Sequence, residues 1–272
     1  MKKLSGLPAP ALAGVVRAKT ERAAKAGILN CYYRGADMID LHLPPLADRS
    51  EEALSRIISY SPLPVLALHY LSNAIVQEAG ETEEERAAVL LTAARAGAAG
   101  VDLEGHTFHA PSRTAFCGED RYSFTKGGPK EVVTDEKIIA RQCAFVEEVH
   151  ATGAEVLLSC HPGIPMTAEQ VVDLALFLEK RGPDIIKIVT TAKDENDLLE
   201  SIRAMTLLKK EVRTPVAYHA AGHAGLLSRV INPALGGQIA FCVDGFDENS
   251  TLDQLDLTTA RAVIDGLKRF KR

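Results

Sequence analysis

Short aliphatic and β-branched runs alternate with longer amphipathic runs along the whole chain, and this alternation limits the fold more than any other feature. The short runs predict eight strands, at residues 12–16, 38–43, 65–70, 100–104, 155–161, 185–190, 216–220 and 239–243. The longer runs predict helices at residues 20–34, 51–59, 83–95, 135–151, 168–180, 195–210, 226–231 and 257–270. Eight strand–helix repeats within 272 residues predict an α/β protein with a (β/α)8 barrel of the TIM type.

A doubly wound sheet is the competing fold for such an alternation. It is disfavoured because a dinucleotide-binding sheet carries a G-x-G-x-x-G motif after its first strand, and none follows residues 12–16. No linker, low-complexity tract or internal repeat divides the chain. We therefore expect residues 1–272 to form a single barrel domain.

Residues 105–134 interrupt the alternation. This segment is polar, rich in glycine and proline, and shows no clear period. A loop of this length within a compact domain is usually functional or disordered. Because it follows the fourth predicted strand, we expect it to be an insertion on the C-terminal face of the barrel, where active sites of this fold lie.

The overall composition restricts the partners of the protein. The 31 Lys and Arg residues against 36 Asp and Glu give a net charge of −5 with histidine neutral, unlike the basic surfaces that bind nucleic acid. No apolar run approaches the roughly 20 residues of a membrane span, and the first residues predict no signal peptide. The five cysteines are scattered and form no C-x-x-C motif, which is typical of reduced thiols in a cytoplasm. We expect a cytoplasmic protein without nucleic-acid or membrane partners.

Several predicted strands carry polar side chains near their C-terminal ends, although barrel strands are usually apolar on both faces. By strand, these side chains are Asp40 and His42, Asp102 and Glu104, Ser159 and His161, and Lys187. Residues two apart on a strand share one face. Burying such charges singly costs several kcal/mol, so they must contact one another or water.

Lys187 has two interpretations. Desolvation favours the neutral amine of a lysine, and a neutral amine is the nucleophile of Schiff-base enzymes. The alternative is a structural ion pair of Lys187 with Asp102 or Glu104. His161 alone is equally ambiguous between a structural and a catalytic role. Together, one lysine, one histidine and two carboxylates on neighbouring strands favour a catalytic site.

Three motifs follow one another in the second half of the chain, VLLSCH at 156–161, DIIKI at 184–188 and LSR at 227–229. Ser250 and Gln254 lie four residues apart after the last predicted strand, and an acidic VDLE motif occupies 101–104. In their order and spacing these motifs resemble those of the type I 3-dehydroquinate dehydratase family. The resemblance implies a barrel fold and a carbon–oxygen lyase that converts 3-dehydroquinate to 3-dehydroshikimate and water in the shikimate or quinate route.

The resemblance also implies catalytic roles. Lys187 would form an imine with the substrate ketone, and His161 would move the α-proton and assist departure of the β-hydroxyl. Glu104 and Asp102 would orient His161 and balance the charge. These roles agree with general chemistry, because an iminium acidifies the adjacent C–H bond and an imidazole can carry the proton. No metal or diffusible cofactor is needed.

For substrate binding, the resemblance implies that Arg229, Ser250 and Gln254 hold the carboxylate, for which a guanidinium fork is well suited. The residues that face the substrate hydroxyls differ from the family pattern. The family has a glutamate and an arginine two apart on the second strand, where this chain has Asp40 and His42.

The third and seventh strands also depart from that pattern. The family has an arginine at the end of the third strand, and alternation against Leu66 and Leu68 predicts that His69 faces the barrel interior there. A match without gaps places Tyr70 at that position instead. On the seventh strand, His219 replaces a methionine that lines the family's pocket.

Three functions remain open from the sequence. The first is a dehydratase of the 3-dehydroquinate type, and the second is a related Schiff-base lyase or aldolase that acts on a different keto-acid. The third is a non-catalytic sensor that binds carboxylates, although a sensor has no need of the imine lysine. We expect a small keto-acid substrate and a homodimer. His42, His69, His219 and His223 could suggest a metal site, but none of the four belongs to a His-x-His or Glu-x-x-His pairing that would support it.

Overall fold

Eight parallel strands form the wall of a barrel, and a short ninth strand extends it. The computed structural model describes residues 3–70, 74–108, 133, 135–246 and 253–269. Its strands are β1 (Ala11–Arg17), β2 (Met38–His42), β3 (Val65–Leu68), β4 (Gly100–Glu104), β5 (Glu155–Cys160), β6 (Ile185–Thr191), β7 (Val216–Ala221), β8 (Ile239–Val243) and β9 (Leu255–Asp256). They pair in the order β7-β6-β5-β4-β3-β2-β1-β8-β9. A hydrogen bond of 2.8 Å from Gln238 N to Val216 O joins the two ends of the wall, which confirms the predicted barrel.

Helices connect the strands on the outside of the barrel. They are α1 (Glu21–Tyr33), α2 (Glu51–Ile58), α3 (Ala74–Ala79), α4 (Glu83–Arg95), α5 (Glu136–Ala151), α6 (Ala168–Glu179), α7 (Glu195–Glu211), α8 (Ser228–Ala234) and α9 (Leu257–Lys268), and a 3-10 turn (Ala224–Leu227) precedes α8. Side chains at the N-termini stabilise several of them; the Asp135 carboxylate, for example, accepts the N–H groups of Lys137 and Ile138. Among the described residues, no helix combines the length and apolarity needed to cross a membrane.

Two elements were not predicted, and one predicted segment is only partly described. Helix α3 has six residues and β9 has two, which is too short for a period to be recognised. Of the predicted loop 105–134, residues 109–132 and 134 lie outside the described residues. The first residues of this loop pack against α5, where the Gln142 amide donates to the carbonyls of Gly105 and Thr107 at 3.0 and 2.8 Å.

The barrel interior has an apolar floor beneath a polar mouth. The floor consists of Leu4, Ala11, Ala13, Met38, Leu66, Ala99, Leu157, Ile185, Ala217, Ile239 and Phe241. Because side chains alternate along a strand, the inner position two residues after Met38 is Asp40, and the one after Ile185 is Lys187. Both side chains are nearly inaccessible to solvent, with 2% and 6% exposure. The polar site predicted at the strand ends therefore lies directly above the apolar floor.

The prediction that His69 faces the barrel interior is wrong. Leu66 belongs to the apolar floor, whereas Val65 and Ala67 belong to the core between strands and helices. The inner face of β3 is thus continued by Leu68 and Tyr70, and His69 has the opposite parity. Tyr70, which the family match without gaps places at this position, is the residue that reaches the site.

Candidate active site

Lys187 lies on the inner face of β6, enclosed by polar and aromatic groups. Its Nζ donates to the hydroxyl of Tyr70 at 2.6 Å and lies 3.3 Å from Asp102 Oδ2. The same Nζ is 4.4 Å from the ring centre of Phe241, which belongs to the floor, and 5.1 Å from that of Tyr70. The ion pair with Asp102, which was the alternative interpretation of Lys187, therefore exists, and the amine in it is almost excluded from solvent.

Asp102 and Tyr70 form the other two corners of this group. The Tyr70 hydroxyl donates to Asp102 Oδ2 at 2.6 Å. Burial raises the pKa of Asp102, although the charge of Lys187 opposes the shift. Burial, followed by the charge of Asp102, raises the pKa of Tyr70 well above its usual value. Tyr70 is consequently a neutral phenol that can both donate and accept a hydrogen bond.

His161 follows the last residue of β5 and packs edge-on against Tyr70, with ring centres 5.3 Å apart. Desolvation lowers the pKa of His161 well below its usual value, and the positive charge of Lys187 lowers it further. The charge of Glu104 acts in the opposite direction. At neutral pH the imidazole is uncharged, as a proton acceptor must be.

Glu104 joins a second cluster of charges beside the lysine group. Its carboxylate lies 3.3 Å from His106 Nε2 and 3.6 Å from Arg86 Nη1. Arg86, which is completely buried on α4, also pairs with Glu83. The hydrogen bonds of Asp102 go to Lys187 and Tyr70, so this carboxylate serves the lysine, while the charge of Glu104 acts on the histidine.

A tight turn after β7 positions Arg229. The hydroxyl of Ser228 accepts the N–H of Ala220 at 2.8 Å and donates to the carbonyl of Gly225 at 2.6 Å. The turn needs a glycine at 225, because a Cβ there would lie 2.5 Å from the Ala220 carbonyl oxygen. Arg229 is held at the mouth of the barrel as the second residue of α8.

Arg229 forms an ion pair with Asp253 and has a buried donor that this pair does not use. Its Nη2 contacts Asp253 Oδ2, whereas its buried Nε has no hydrogen-bond partner within the described ranges. The side-chain oxygen of Gln254 is likewise buried without a partner in that part of the chain. Ser250, the third predicted carboxylate ligand, lies outside the described residues. His219 is close by on β7; burial, and then the charge of Arg229, lower its pKa well below the usual value.

On the β1–β2 side of the mouth, His42 lies between an arginine and a carboxylate. Arg17 Nε donates to His42 Nδ1 at 3.3 Å, and His42 Nε2 lies 3.3 Å from Asp40 Oδ2. Because a guanidinium only donates, Nδ1 must accept, and the ring proton sits on Nε2 and faces Asp40. Arg17 therefore places a cation against His42 on this side of the mouth.

His69 lies in a separate group on the other side of β3. Its Nε2 is 2.7 Å from Glu81 Oε2, and Arg49 Nη2 is 2.8 Å from Glu81 Oε1. Burial lowers the pKa of His69, while Glu81 opposes the shift. The structure thus brings Lys187, Asp102 and His161 together with Tyr70 and leaves His69 out of that group.

Three residues of the site were missed or misplaced from the sequence. For Tyr70 the signal was the family match without gaps, which places it at the end of β3. Arg86 lies four residues before Leu90 on the buried side of α4, a spacing that marks an arginine inside the core. The pairing of Asp253 with Arg229 had no signal in the sequence. Within the described residues, no three potential metal-ligating side chains cluster together.

Comparisons with known proteins identify the family of the chain. Residues 13–270 match the family model described as type I 3-dehydroquinase. The 3-dehydroquinate dehydratase of Desulfotalea psychrophila is 26% identical over 183 residues, which are 67% of this chain and 68% of that protein. Matches to further dehydratases of this description cover about half of those proteins, 45% and 48% of their length.

Solved structures of the same description share the fold. A 3-dehydroquinate dehydratase from Geobacillus kaustophilus superposes with a TM-score of 0.75 at 16% identity, covering 100% of this chain and 97% of that one. The type I enzyme from Clostridium difficile, described with covalently modified comenic acid, gives 0.71 at 17% identity, covering 97% and 95%. By its family model, which spans nearly the whole sequence, the chain belongs to the type I 3-dehydroquinases, a family of hydro-lyases, and the resemblance of its motifs is confirmed.

Proposed function

We propose that the protein dehydrates 3-dehydroquinate to 3-dehydroshikimate through an imine at Lys187. One observation carries this proposal. The amine of Lys187 is buried on the inner face of β6, bonded to Tyr70 and Asp102, and the uncharged imidazole of His161 packs against the same tyrosine. A nucleophile and a proton acceptor thus lie against the same tyrosine above the apolar floor.

The reaction follows from these two groups. The amine of Lys187 adds to the ketone carbon, and loss of water gives an iminium that draws electrons from the neighbouring C–H bond. His161 removes the α-proton and returns it to the β-hydroxyl, which leaves as water while the new double bond forms. Hydrolysis of the imine releases the product and restores the amine, so no external redox partner or cofactor enters the balance.

The substrate carboxylate binds on the β7–α8 side in this proposal. Arg229 Nε is a buried donor without a partner in the described residues, and Gln254 lies next to Asp253, the ion-pair partner of Arg229. Ser250, from the sequence motif, completes the proposed binding group. The Clostridium difficile relative, whose structure is described with a covalently modified comenic acid, supports a covalent mode of binding in this fold.

The test is incubation with 3-dehydroquinate while the absorbance of the enone product is recorded. Borohydride added during turnover should reduce the imine and add the substrate mass to the peptide that carries Lys187. A Lys25→Met variant, altered at a half-buried lysine of α1 that pairs with Glu21, should behave as the wild type. Turnover without any adduct at Lys187 would contradict the covalent mechanism, and absence of turnover would contradict the substrate.

A second candidate is a Schiff-base lyase or aldolase for another keto-acid. The specific observation in its favour is that Arg17, His42 and Asp40 form a pairing of their own on the β1–β2 side. This arrangement differs from the glutamate and arginine that the family has on its second strand. A panel of keto-acids lacking the C4 or C5 hydroxyl distinguishes the two candidate functions. If one of them is a better substrate than 3-dehydroquinate, the second candidate is favoured. Specific binding of a keto-acid without any adduct would favour a sensor. The homodimer and the cytoplasmic location stay predictions.

A further inference from the structure

We propose that Tyr70 is a catalytic residue of the imine chemistry, whose phenol relays a proton between Lys187 Nζ and the carboxylate of Asp102. This inference rests on the proposed imine at Lys187. Tyr70 belongs to none of the motifs that carry the family resemblance. It stands where the family has an arginine, so its function has to come from its own contacts.

The geometry gives the phenol a position between the two groups. Its oxygen is 2.6 Å from Lys187 Nζ and 2.6 Å from Asp102 Oδ2, whereas the direct contact between Nζ and Oδ2 is 3.3 Å. The hydroxyl accepts from the lysine and donates to the carboxylate at the same time. Both of its hydrogen bonds therefore point in the direction that a proton must travel.

The transfer balances along this line. One N–H bond of the Lys187 ammonium breaks as an O–H bond forms on Tyr70, and the original O–H bond of Tyr70 breaks as one forms on Asp102. The ion pair becomes a neutral amine and a neutral carboxylic acid, and burial raises the pKa of Asp102, which favours its acid form. Asp102 is completely buried, and Lys187 is 6% exposed.

The proton returns during imine formation. The neutral amine adds to the ketone to give a carbinolamine, and the proton of Asp102 passes through Tyr70 to the carbinolamine oxygen. That oxygen leaves as water, the iminium nitrogen carries the positive charge, and Asp102 is again a carboxylate. The same steps in reverse hydrolyse the imine at the end of the cycle.

A purely structural role for Tyr70 gives a different outcome. A relay lowers the barrier in both directions and leaves the equilibrium between free lysine and imine unchanged. A tyrosine that only positions Lys187 would change the stability of the imine when it is removed, and so shift that equilibrium. The rates of formation and hydrolysis together with the equilibrium fraction therefore separate the two roles.

The experiment compares the wild type with Tyr70→Phe, which keeps the ring and removes the hydroxyl. One probe is 3-dehydroquinate, quenched at short times with borohydride, and the other is a 1,3-diketone, which forms an absorbing enaminone with nucleophilic lysines. The matched control is Tyr218→Phe, because Tyr218 also has a hydrogen-bonded hydroxyl, 3.0 Å from that of Thr190, but packs in the core on the outer face of β7. Thermal unfolding verifies that each variant is folded.

We expect formation and hydrolysis of the adduct to slow together by about 10²- to 10⁴-fold in Tyr70→Phe, with an unchanged equilibrium fraction. Tyr218→Phe should keep wild-type rates. Asp102→Asn keeps an acceptor for Tyr70 but cannot take up the proton. Formation and hydrolysis of the adduct should therefore slow by the same factor in this variant, which replaces Tyr70→Phe in the test if that variant does not fold. Wild-type rates in either variant, or a shifted equilibrium in Tyr70→Phe, would overturn the relay.

The two probes also separate this inference from the proposed function. If Lys187 reacts with the diketone but not with 3-dehydroquinate, the proposed substrate is wrong. The relay is then tested by comparing the two tyrosine variants with the diketone as the probe. If Lys187 reacts with neither probe, both proposals are overturned.

Discussion

The two sides of the barrel mouth are built differently. On the β4–β6 side, Lys187 and Asp102 are joined through Tyr70 by contacts of 2.6 Å. On the β1–β2 side, His42 contacts Arg17 and Asp40 only at 3.3 Å. Short, charge-assisted hydrogen bonds are the strong ones, so the first side is held much more firmly than the second.

Both sides of the mouth also hold a buried carboxylate oxygen that lacks a hydrogen-bond partner among the described residues, and on the β4–β6 side it is Asp102 Oδ1. Asp40 Oδ1 is buried and has no hydrogen-bond partner among the residues that the structure describes. An unsatisfied buried acceptor costs free energy that a ligand hydroxyl at this place would recover. The short bonds around Lys187 suit the β4–β6 side to a chemical step, whereas the looser contacts of Asp40 and His42 suit the β1–β2 side to contact with a substrate group. Variants on the two sides should accordingly affect different kinetic constants.

The largest effect is expected from Lys187→Met. The substitution removes the nucleophile, so no adduct should form, and turnover should fall by about 10⁴-fold or more, as for other nucleophiles. Borohydride trapping and the enone assay measure the two quantities. Lys187→Arg should be equally inactive, because a guanidinium stays protonated and does not form the imine. Residual turnover in Lys187→Met near that of the wild type would show that no imine at Lys187 is needed.

His161→Gln should separate imine formation from elimination. Acid–base catalysis of this kind contributes about 10²- to 10⁴-fold, so kcat should fall by that factor while the adduct at Lys187 still accumulates. His223→Gln, altered at an exposed histidine, is the matched control and should keep wild-type kcat. If His161→Gln also retains its kcat, His161 is structural and another group, such as His219, moves the proton.

Much of the β4–β6 side of the mouth was predictable from the sequence, for a physical reason. Lys187 stands out because it is the only polar residue in the aliphatic run 185–189, and a buried charge requires partners. His161 and Asp102 were found because polar side chains at the ends of parallel barrel strands converge on one face. The bounds of the predicted strands agree with the observed ones to within two residues, since strand–helix alternation gives a strong periodic signal.

The orientation of β3 was not predictable by the same reasoning. Val65, Leu66, Ala67 and Leu68 are all apolar, so both faces of this strand look alike in the sequence. The choice of inner face then decides whether His69 or Tyr70 enters the site, and alternation alone leaves it undetermined. Contacts such as Arg17 with His42 depend in addition on the register between neighbouring strands, which the sequence pattern does not contain.

Arg229→Gln should affect binding more than chemistry. A hydrogen bond to a charged group contributes about 1.5–3 kcal/mol, which corresponds to a rise in KM of about 10- to 150-fold. At saturating substrate the adduct at Lys187 should still form, as followed by borohydride trapping. Arg95→Gln, at an exposed ion pair with Glu148, serves as the control and should leave KM unchanged. An unaltered KM in Arg229→Gln would place the carboxylate elsewhere.

The buried histidines of the mouth should make stability depend on pH. Burial lowers the pKa of both His161 and His219, so in the unfolded chain these groups bind protons at a higher pH than in the folded protein. Their contribution is fully present above the ordinary histidine pKa of 6.5 and is lost as the pH falls below it, by at most about 1.4 kcal/mol per pH unit for each histidine. Urea unfolding at pH 7.5 and 5.5 measures this loss. It should be smaller in His219→Gln and unchanged in His223→Gln; an equal loss in both variants would contradict the assignment.

The smallest effect is expected on the β1–β2 side, from His42→Asn. Asparagine shortens the side chain and disrupts the contacts with Arg17 and Asp40, each a single hydrogen bond with a net contribution of about 0.5–1.5 kcal/mol. If this side contacts the ring hydroxyls, KM for 3-dehydroquinate should rise by about two- to tenfold, and kcat should stay unchanged because the lysine group is untouched. A keto-acid without the C4 and C5 hydroxyls makes no such contacts, so its KM should be the same in variant and wild type. Steady-state kinetics with both substrates provide the measurement. An equal rise in KM for both substrates would show that His42 acts on the shape of the site rather than on the hydroxyls. A fall in kcat alone would show that the β1–β2 side also takes part in catalysis.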